Sequence, residues 1–137
     1  MEEIVKIFQQ YPNVFPSGYF RFLKGTLREK FQNKEIIFEN GVVLTWKKYK
    51  VNPGKYAKYN FKKGDIKINH LVNKNQGNGE AKKIFLQFIE KHKDKNLLID
   101  VRTNNQRAIN FYKKNGFEQV GETMFNNLPG LILLKKV

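Results

Sequence analysis

The chain has 137 residues, a formal net charge of +14, 40% hydrophobic and 14% aromatic residues, and no cysteine. That length bounds it to a single domain, expected to span residues 1–137, and that apolar share excludes intrinsic disorder. The lack of thiols excludes disulfides, thiolate metal sites and a cysteine nucleophile, and no metal site is expected. No apolar run reaches the ~18 residues of a membrane helix. The opening Met1-Glu2-Glu3-Ile4 has no basic region of the secretory type, so a cytoplasmic location without membrane attachment is expected.

The predicted elements follow the apolar periodicity. Residues 2–10 carry Ile4, Val5, Ile7 and Phe8 and read as a short helix with acidic residues in its first turn. Pro12, Pro16 and Gly18 interrupt the chain, and residues 19–32 read as a second helix with Phe20, Leu23, Leu27 and Phe31 along one stripe. Two β-rich runs, 35–39 and 42–46, flank Asn40-Gly41, a pair suited to the positive φ angles of a tight hairpin turn. Residues 51–64 read as a basic, Pro- and Gly-containing connection. Residues 65–72 alternate, with Ile66, Ile68, His70 and Val72 on one face of a strand. A helix over 81–92, a strand over 96–102 and a helix over 106–115 follow. Strands at 117–125 and 131–137 close the chain, separated by residues 126–130. Helices feeding strands in the second half predict a mixed, partly parallel α/β sheet.

The loop between the 65–72 strand and the 81–92 helix reads Asn73-Lys74-Asn75-Gln76-Gly77-Asn78-Gly79-Glu80-Ala81. Glycines beside a helix start let backbone N–H groups turn toward a ligand, and the helix N-terminus adds unsatisfied donors and partial positive charge. That combination suits a diphosphate, with Lys74 adding a mobile cation; the plainer reading is a turn entering a helix. No Gly-Lys-Ser/Thr follows, so this is no Walker loop, and Lys82 stands where a dinucleotide fingerprint needs glycine. Downstream, Asn105, Ala108 and Tyr112 share one helix face just beyond a strand end. Here the alternative is a helix-capping asparagine and core aromatics.

Together these segments resemble the GCN5-related N-acetyltransferase (GNAT) family. Gln76-Gly77-Asn78-Gly79-Glu80-Ala81 is similar to its acetyl-CoA loop, and Asn105-x-x-Ala108-Ile109-x-Phe111-Tyr112-x-x-x-Gly116-Phe117 to its second signature. The resemblance covers residues 66–122. It implies a GNAT-like central sheet flanked by helices and splayed at the cofactor site, and transfer of an acyl group from acetyl-CoA to an amine. Gln76 through Ala81 would hold the diphosphate of CoA. Leu71 and Val72 would pair with the pantetheine arm, and Asn105 and Ala108 would lie along it. Arg107, Lys113 and Lys114 would offset the phosphates. Tyr112 matches the family tyrosine that protonates the departing thiolate. A base is needed for the amine: His70 is the candidate, against a buried structural histidine, with Asp100 and Glu118 as fallbacks.

Charge leaves a further reading open. From Lys47 to Lys67 the chain has eight lysines and one acid, Asp65, interleaved with Tyr49, Tyr56, Tyr59 and Phe61. Aromatics among cations stack bases along a phosphate backbone. A nucleic-acid-directed protein, as in the phage Mom-type members of the same superfamily, or a CoA- or nucleic-acid-binding module without catalysis, therefore stands beside the acyltransferase. The plainer reading is a solvated basic loop. The 22 lysines against four arginines, with 16 asparagines and three alanines, are also what an AT-rich coding sequence yields.

Overall fold

A computed structural model describes residues 1–52, 54–56, 59–125 and 127–137. Four helices are assigned: α1 (Glu2–Gln9), α2 (Phe20–Asn33, entered through a 3-10 turn at Ser17–Tyr19), α3 (Glu80–Lys91) and α4 (Gln106–Lys114). The strands are β1 (Ile36–Glu39), β2 (Val42–Lys48), β3 (Gly54–Tyr56), β4 (Tyr59–Phe61), β5 (Ile66–Asn73), β6 (Leu97–Arg102), β7 (Glu118–Phe125) and β8 (Leu128–Lys135). Six of them hydrogen-bond in the order β1-β2-β5-β6-β8-β7, and β3 pairs with β4. The β5–β6 pair is parallel, and the β1–β2, β6–β8 and β7–β8 pairs are antiparallel, so the mixed α/β sheet is the architecture expected.

The chain resolves into two compact units, each built from two segments: Met1–Trp46 with His70–Lys91, and Lys47–Asn69 with His92–Val137. In the first, Ile4, Val5, Ile7 and Phe8 of α1 meet Leu23 and Leu27 of α2, Val43 of β2 and Val72 of β5 in one buried cluster. Fully burying such side chains contributes roughly 1.5–3 kcal/mol each. The stripe on α2 runs through Leu23, Leu27 and Lys30, not on to Phe31, which is 46% exposed. Lys30 is buried because its ammonium reaches the Trp46 carbonyl. Asn40 (φ 50°) and Gly41 (φ 78°) form the hairpin turn that their types predict.

In the second unit Phe61, Leu98, Ile132 and Leu134 form a buried cluster, with Tyr49 and Val120 against it. The parallel ladder joins Ile66–Ile68 to Leu97–Ile99, while β5 continues to Asn73 and β6 to Arg102. Beyond that ladder, β8 runs antiparallel between β6 and β7, with a register shift between Gln119 and Gly121.

Two further expectations need correcting. The 51–64 connection contains β3 and β4, three residues each and too short for periodicity to reveal; they pair from Gly54↔Phe61 to Tyr56↔Tyr59. Residues 128–130 are not a turn but the start of β8. Pro129 pairs opposite Met124, and its carbonyl is used by the Thr103 N–H (3.1 Å) and hydroxyl (3.2 Å).

A side chain at Gly41 would meet two obstacles: a left-handed φ and the Lys74 Cβ at 3.1 Å. Gly41→Ala is expected to lower unfolding free energy by about 1–2 kcal/mol. Gly25→Ala, inside α2 with nothing within 4 Å of the new Cβ, is expected to raise it by about 0.5–1 kcal/mol. Urea titration of both variants checks the pair.

Candidate active site

The loop after β5 is held by its own asparagines and by the β1–β2 turn. Asn73 Oδ1 accepts from the Asn75 N–H (3.0 Å), and Asn73 Nδ2 donates to Asn78 Oδ1 (2.9 Å), which also accepts from the Glu80 N–H (3.1 Å). The turn takes both ends of the loop: the Lys74 N–H donates to the Gly41 carbonyl (2.8 Å), and Asn40 Nδ2 donates to the Glu80 carboxylate (3.2 Å). The Asn78 N–H is taken by the Asn75 carbonyl (3.2 Å). Among the described residues, that leaves the N–H groups of Gln76, Gly77, Gly79 and Ala81 without a partner within the fold. Gly77 (φ 91°) and Gly79 (φ 82°) adopt backbone angles that L side chains rarely take, and residues 76–79 are exposed. Ala81 in the first turn of the 12-residue α3, with Gln76, Gly77 and Gly79 of the loop before it, presents four open donors, an arrangement whose chemistry suits an anion. A Cβ at Gly79 would meet nothing within 4 Å, so the backbone there is open to a ligand.

In the second unit, Asn105 is the N-cap of α4, its side-chain oxygen accepting from the Ala108 N–H at 3.3 Å. The carboxamide nitrogen is not needed for that cap, so capping and a ligand bond use different atoms. Asn105 and Ala108 are half-buried and Arg107 is exposed. Tyr112 is 6% exposed, its ring centroid 5.6 Å from that of Phe111 and 5.8 Å from that of Phe117. Burial pushes its phenol above the usual range, which keeps it protonated and makes it a hydrogen-bond donor before it is an acid. Leu71 and Val72 lie on β5 past its ladder with β6, half-buried and buried respectively. Asp100 is ion-paired with Lys67 at 2.9 Å, and Glu118 is exposed.

His70 is 8% exposed. Its Nε2 meets the Tyr19 hydroxyl, and its Nδ1 meets the Thr45 hydroxyl at 2.8 Å. Phe8, Phe15 and Tyr19 surround the ring, with the Phe8 centroid at 5.0 Å. Burial first, and the charge of Lys30 second, push its pKa down to about 4. A neutral imidazole has one donor and one acceptor nitrogen, and both are engaged, so the environment is that of a structural histidine.

A family model described as an Acetyltransferase (GNAT) domain matches residues 21–130. The chain belongs to the GNAT acetyltransferase family. Solved structures share the fold at low identity. A GNAT-family acetyltransferase from Streptococcus agalactiae 2603 aligns with 15% identity over 100% of this chain and 87% of its own, TM-score 0.72. A NatC complex bound to Gag peptide and CoA aligns with 17% identity over 82% of this chain and 79% of its own, TM-score 0.62. For a GNAT-family acetyltransferase from Bordetella pertussis the values are 12% identity, 69% and 56%, and TM-score 0.54, so this chain spans little more than half of that protein. No curated protein matches in sequence.

Against the GNAT signatures, the loop and the capped α4 stand where the sequence places them. The grip of Asn40 and Gly41 on the loop is not legible in sequence, since Asn-Gly signals a turn and says nothing of what the turn touches. Tyr19 and Thr45, the partners of His70, carry no signal either, being 51 and 25 residues away in the chain. Among the described residues, no group of three or more His, Asp or Glu side chains is arranged to hold a metal ion, and no helix is long and apolar enough to cross a membrane.

A histidine whose folded pKa is depressed to about 4 from 6.5 adds stability that is present above pH 6.5 and lost as pH falls toward 4. Over that window the native chain is expected to lose about 3 kcal/mol more than the variant His70→Gln. Urea unfolding at pH 7.0, 5.5 and 4.5 checks this, with the variant removing the contribution of the carboxylates.

Proposed function

We propose that the chain transfers an acetyl group from acetyl-CoA directly to an amine, as one GNAT-like acyltransferase domain over residues 1–137. The single observation that carries the reading is the set of open N–H groups at Gln76, Gly77, Gly79 and Ala81, a cradle for the diphosphate of CoA. Support also comes from the family model, whose residues 21–130 take in parts of both units, and from a fold relative whose structure contains CoA.

Acetyl-CoA supplies an activated thioester carbonyl. Residues 76–81 would bind its diphosphate, with Lys74 as an exposed cation beside them, and the resemblance also assigns the exposed Arg107 to the phosphates. By the GNAT signatures, Leu71 and Val72 at the end of β5 would pair with the pantetheine arm, and Asn105 and Ala108 would lie along it. Tyr112, protonated, would donate a hydrogen bond to the sulfur of the departing thiolate. His70 enters as a positioning residue, fixing Tyr19 and Thr45 around the end of β5. Its depressed pKa and engaged nitrogens suit that role better than deprotonation of an amine. The acceptor is an amine, and peptide N-termini are the first to test, because the NatC structure contains a peptide beside CoA.

At a concentration ~100 times its Kd, acetyl-CoA is expected to stabilise the chain by about 2.7 kcal/mol, a Tm rise of roughly 5–10 °C. Gly79→Asp, which sets a carboxylate in the cradle, should remove that rise. An unchanged melting curve with acetyl-CoA would end the acyltransferase reading, and a rise without transfer to any amine would leave a CoA-binding module.

Tyr112→Phe keeps the ring and removes the hydroxyl. It is expected to lower kcat at least tenfold while the KM for acetyl-CoA stays within threefold. Equal losses in kcat and in cofactor affinity would assign Tyr112 to packing alone.

A further inference from the structure

The positive charge is not spread over the chain. Lys47–Asn69 with His92–Val137 carries 16 Lys and Arg against five Asp and Glu, a net +11. Met1–Trp46 with His70–Lys91 is of nearly equal length and carries ten against seven, a net +3. A coding bias acts on both alike and does not account for that division.

Within the basic unit the charge gathers on a two-stranded arm. The Tyr49 N–H donates to the Asp65 carbonyl (2.9 Å), the Gly64 N–H to the Tyr49 carbonyl (2.8 Å), and the Lys63 N–H to Asn52 Oδ1 (2.8 Å). These bonds lay residues 47–52 alongside 62–65, and the β3–β4 pairing continues the two-stranded arm. Lys47, Lys48, Lys50, Lys62 and Lys63 are thereby brought together and are exposed. Asp65, the one acid from Lys47 to Lys67, does not offset them at the surface. It is 6% exposed, and its carboxylate accepts from the Lys62 N–H (2.9 Å) and Asn96 Nδ2 (3.2 Å). Like charges on adjacent strands repel, and an anionic partner along the arm relieves that repulsion.

The chemistry selects the anion. Lysines are point charges suited to phosphates, whereas base recognition favours arginine, absent from residues 47–67. Stacking is not available at Phe61, which is 2% exposed in the core, or at Tyr49, half-buried against it at 6.2 Å between centroids; this corrects the stacking expectation at both residues. Lys58 and the side chains of Tyr56 and Tyr59 lie outside what is described. Among the described residues 47–67, Val51 is the sole large apolar side chain exposed, too little to insert into a lipid surface. A two-stranded ribbon, by contrast, has the width of a DNA major groove.

We propose that this arm binds nucleic acid, contacting phosphates through Lys47, Lys50, Lys62 and Lys63 without reading sequence. The site stands on its own charge and geometry and holds whether or not the acyltransferase reading does.

Fluorescence anisotropy of the full chain on a labelled 20-base-pair duplex of arbitrary sequence tests it. Four phosphate contacts predict a slope of log K against log [NaCl] of about −3 to −4. The variant K47Q/K50Q/K62Q/K63Q should bind at least tenfold more weakly in 100 mM NaCl, with a slope shallower by about 3. A charge-matched variant in the other unit, K6Q/R21Q/R28Q/K34N, should stay within threefold of the native chain. Circular dichroism verifies that both fold, and K50Q/K63Q replaces the fourfold arm variant if that one does not, with half the change in slope. Undiminished binding by the arm variant, equal losses in both variants, or binding to phosphatidylserine vesicles with none to the duplex would overturn the proposal.

Discussion

The backbone between Lys74 and Glu80 keeps its shape because both of its ends are tied to one hairpin turn. The Gly41 carbonyl takes the Lys74 N–H, and the Asn40 amide takes the Glu80 carboxylate. Inside that grip, Asn73 and Asn78 satisfy the polar groups that need partners and leave the N–H groups of Gln76, Gly77, Gly79 and Ala81 open. A ligand that binds those donors does so without first paying for loop ordering, which is the physical content of preorganisation. Asn73 and Asn78 do this work with no charge of their own, and the acid in the first turn of α3, Glu80, is engaged by the Asn40 amide.

Burial decides what the two titratable candidates can do, and it moves them in opposite directions. It disfavours the imidazolium at His70 and the phenolate at Tyr112, so both are neutral at physiological pH. For Tyr112 neutrality is compatible with donating a hydrogen bond. For His70 it goes with two engaged ring nitrogens and a buried cation, Lys30, nearby. The polar cluster of His70, Tyr19 and Thr45 then serves to fix the connection between α1 and α2 on the end of β5, where the Tyr11 hydroxyl also takes the Asn73 carbonyl.

The unequal charge of the two units separates two recognition problems. The unit bearing the glycine loop carries a net charge of only +3 and offers backbone donors of a kind that suits a compact anion. The unit bearing the lysine arm has a strong field suited to an extended polyanion. Lysine suits the second task; in the first, the exposed Lys74 stands beside donors that are peptide groups.

Periodicity and turn chemistry were sufficient for α1, the Asn40-Gly41 hairpin, β5, α3, β6 and α4, because each is long enough, or its turn specific enough, for local preferences to agree with the fold. The two signature segments around Gly77-x-Gly79 and Asn105 to Phe117 were legible for the same reason: a cradle and a capped helix are local structures. Tertiary structure alone decided the rest. Lys30 is buried instead of Phe31 because a carbonyl of β2 waits for its ammonium, and β3 and β4 pair because Tyr49 is clasped by Gly64 and Asp65. The partners of His70 and the Asn96 amide that helps hold Asp65 below the surface are likewise residues distant in the chain. A sequence states which groups are present; whether a donor, a proton or a charge is left available depends on what the fold places against it.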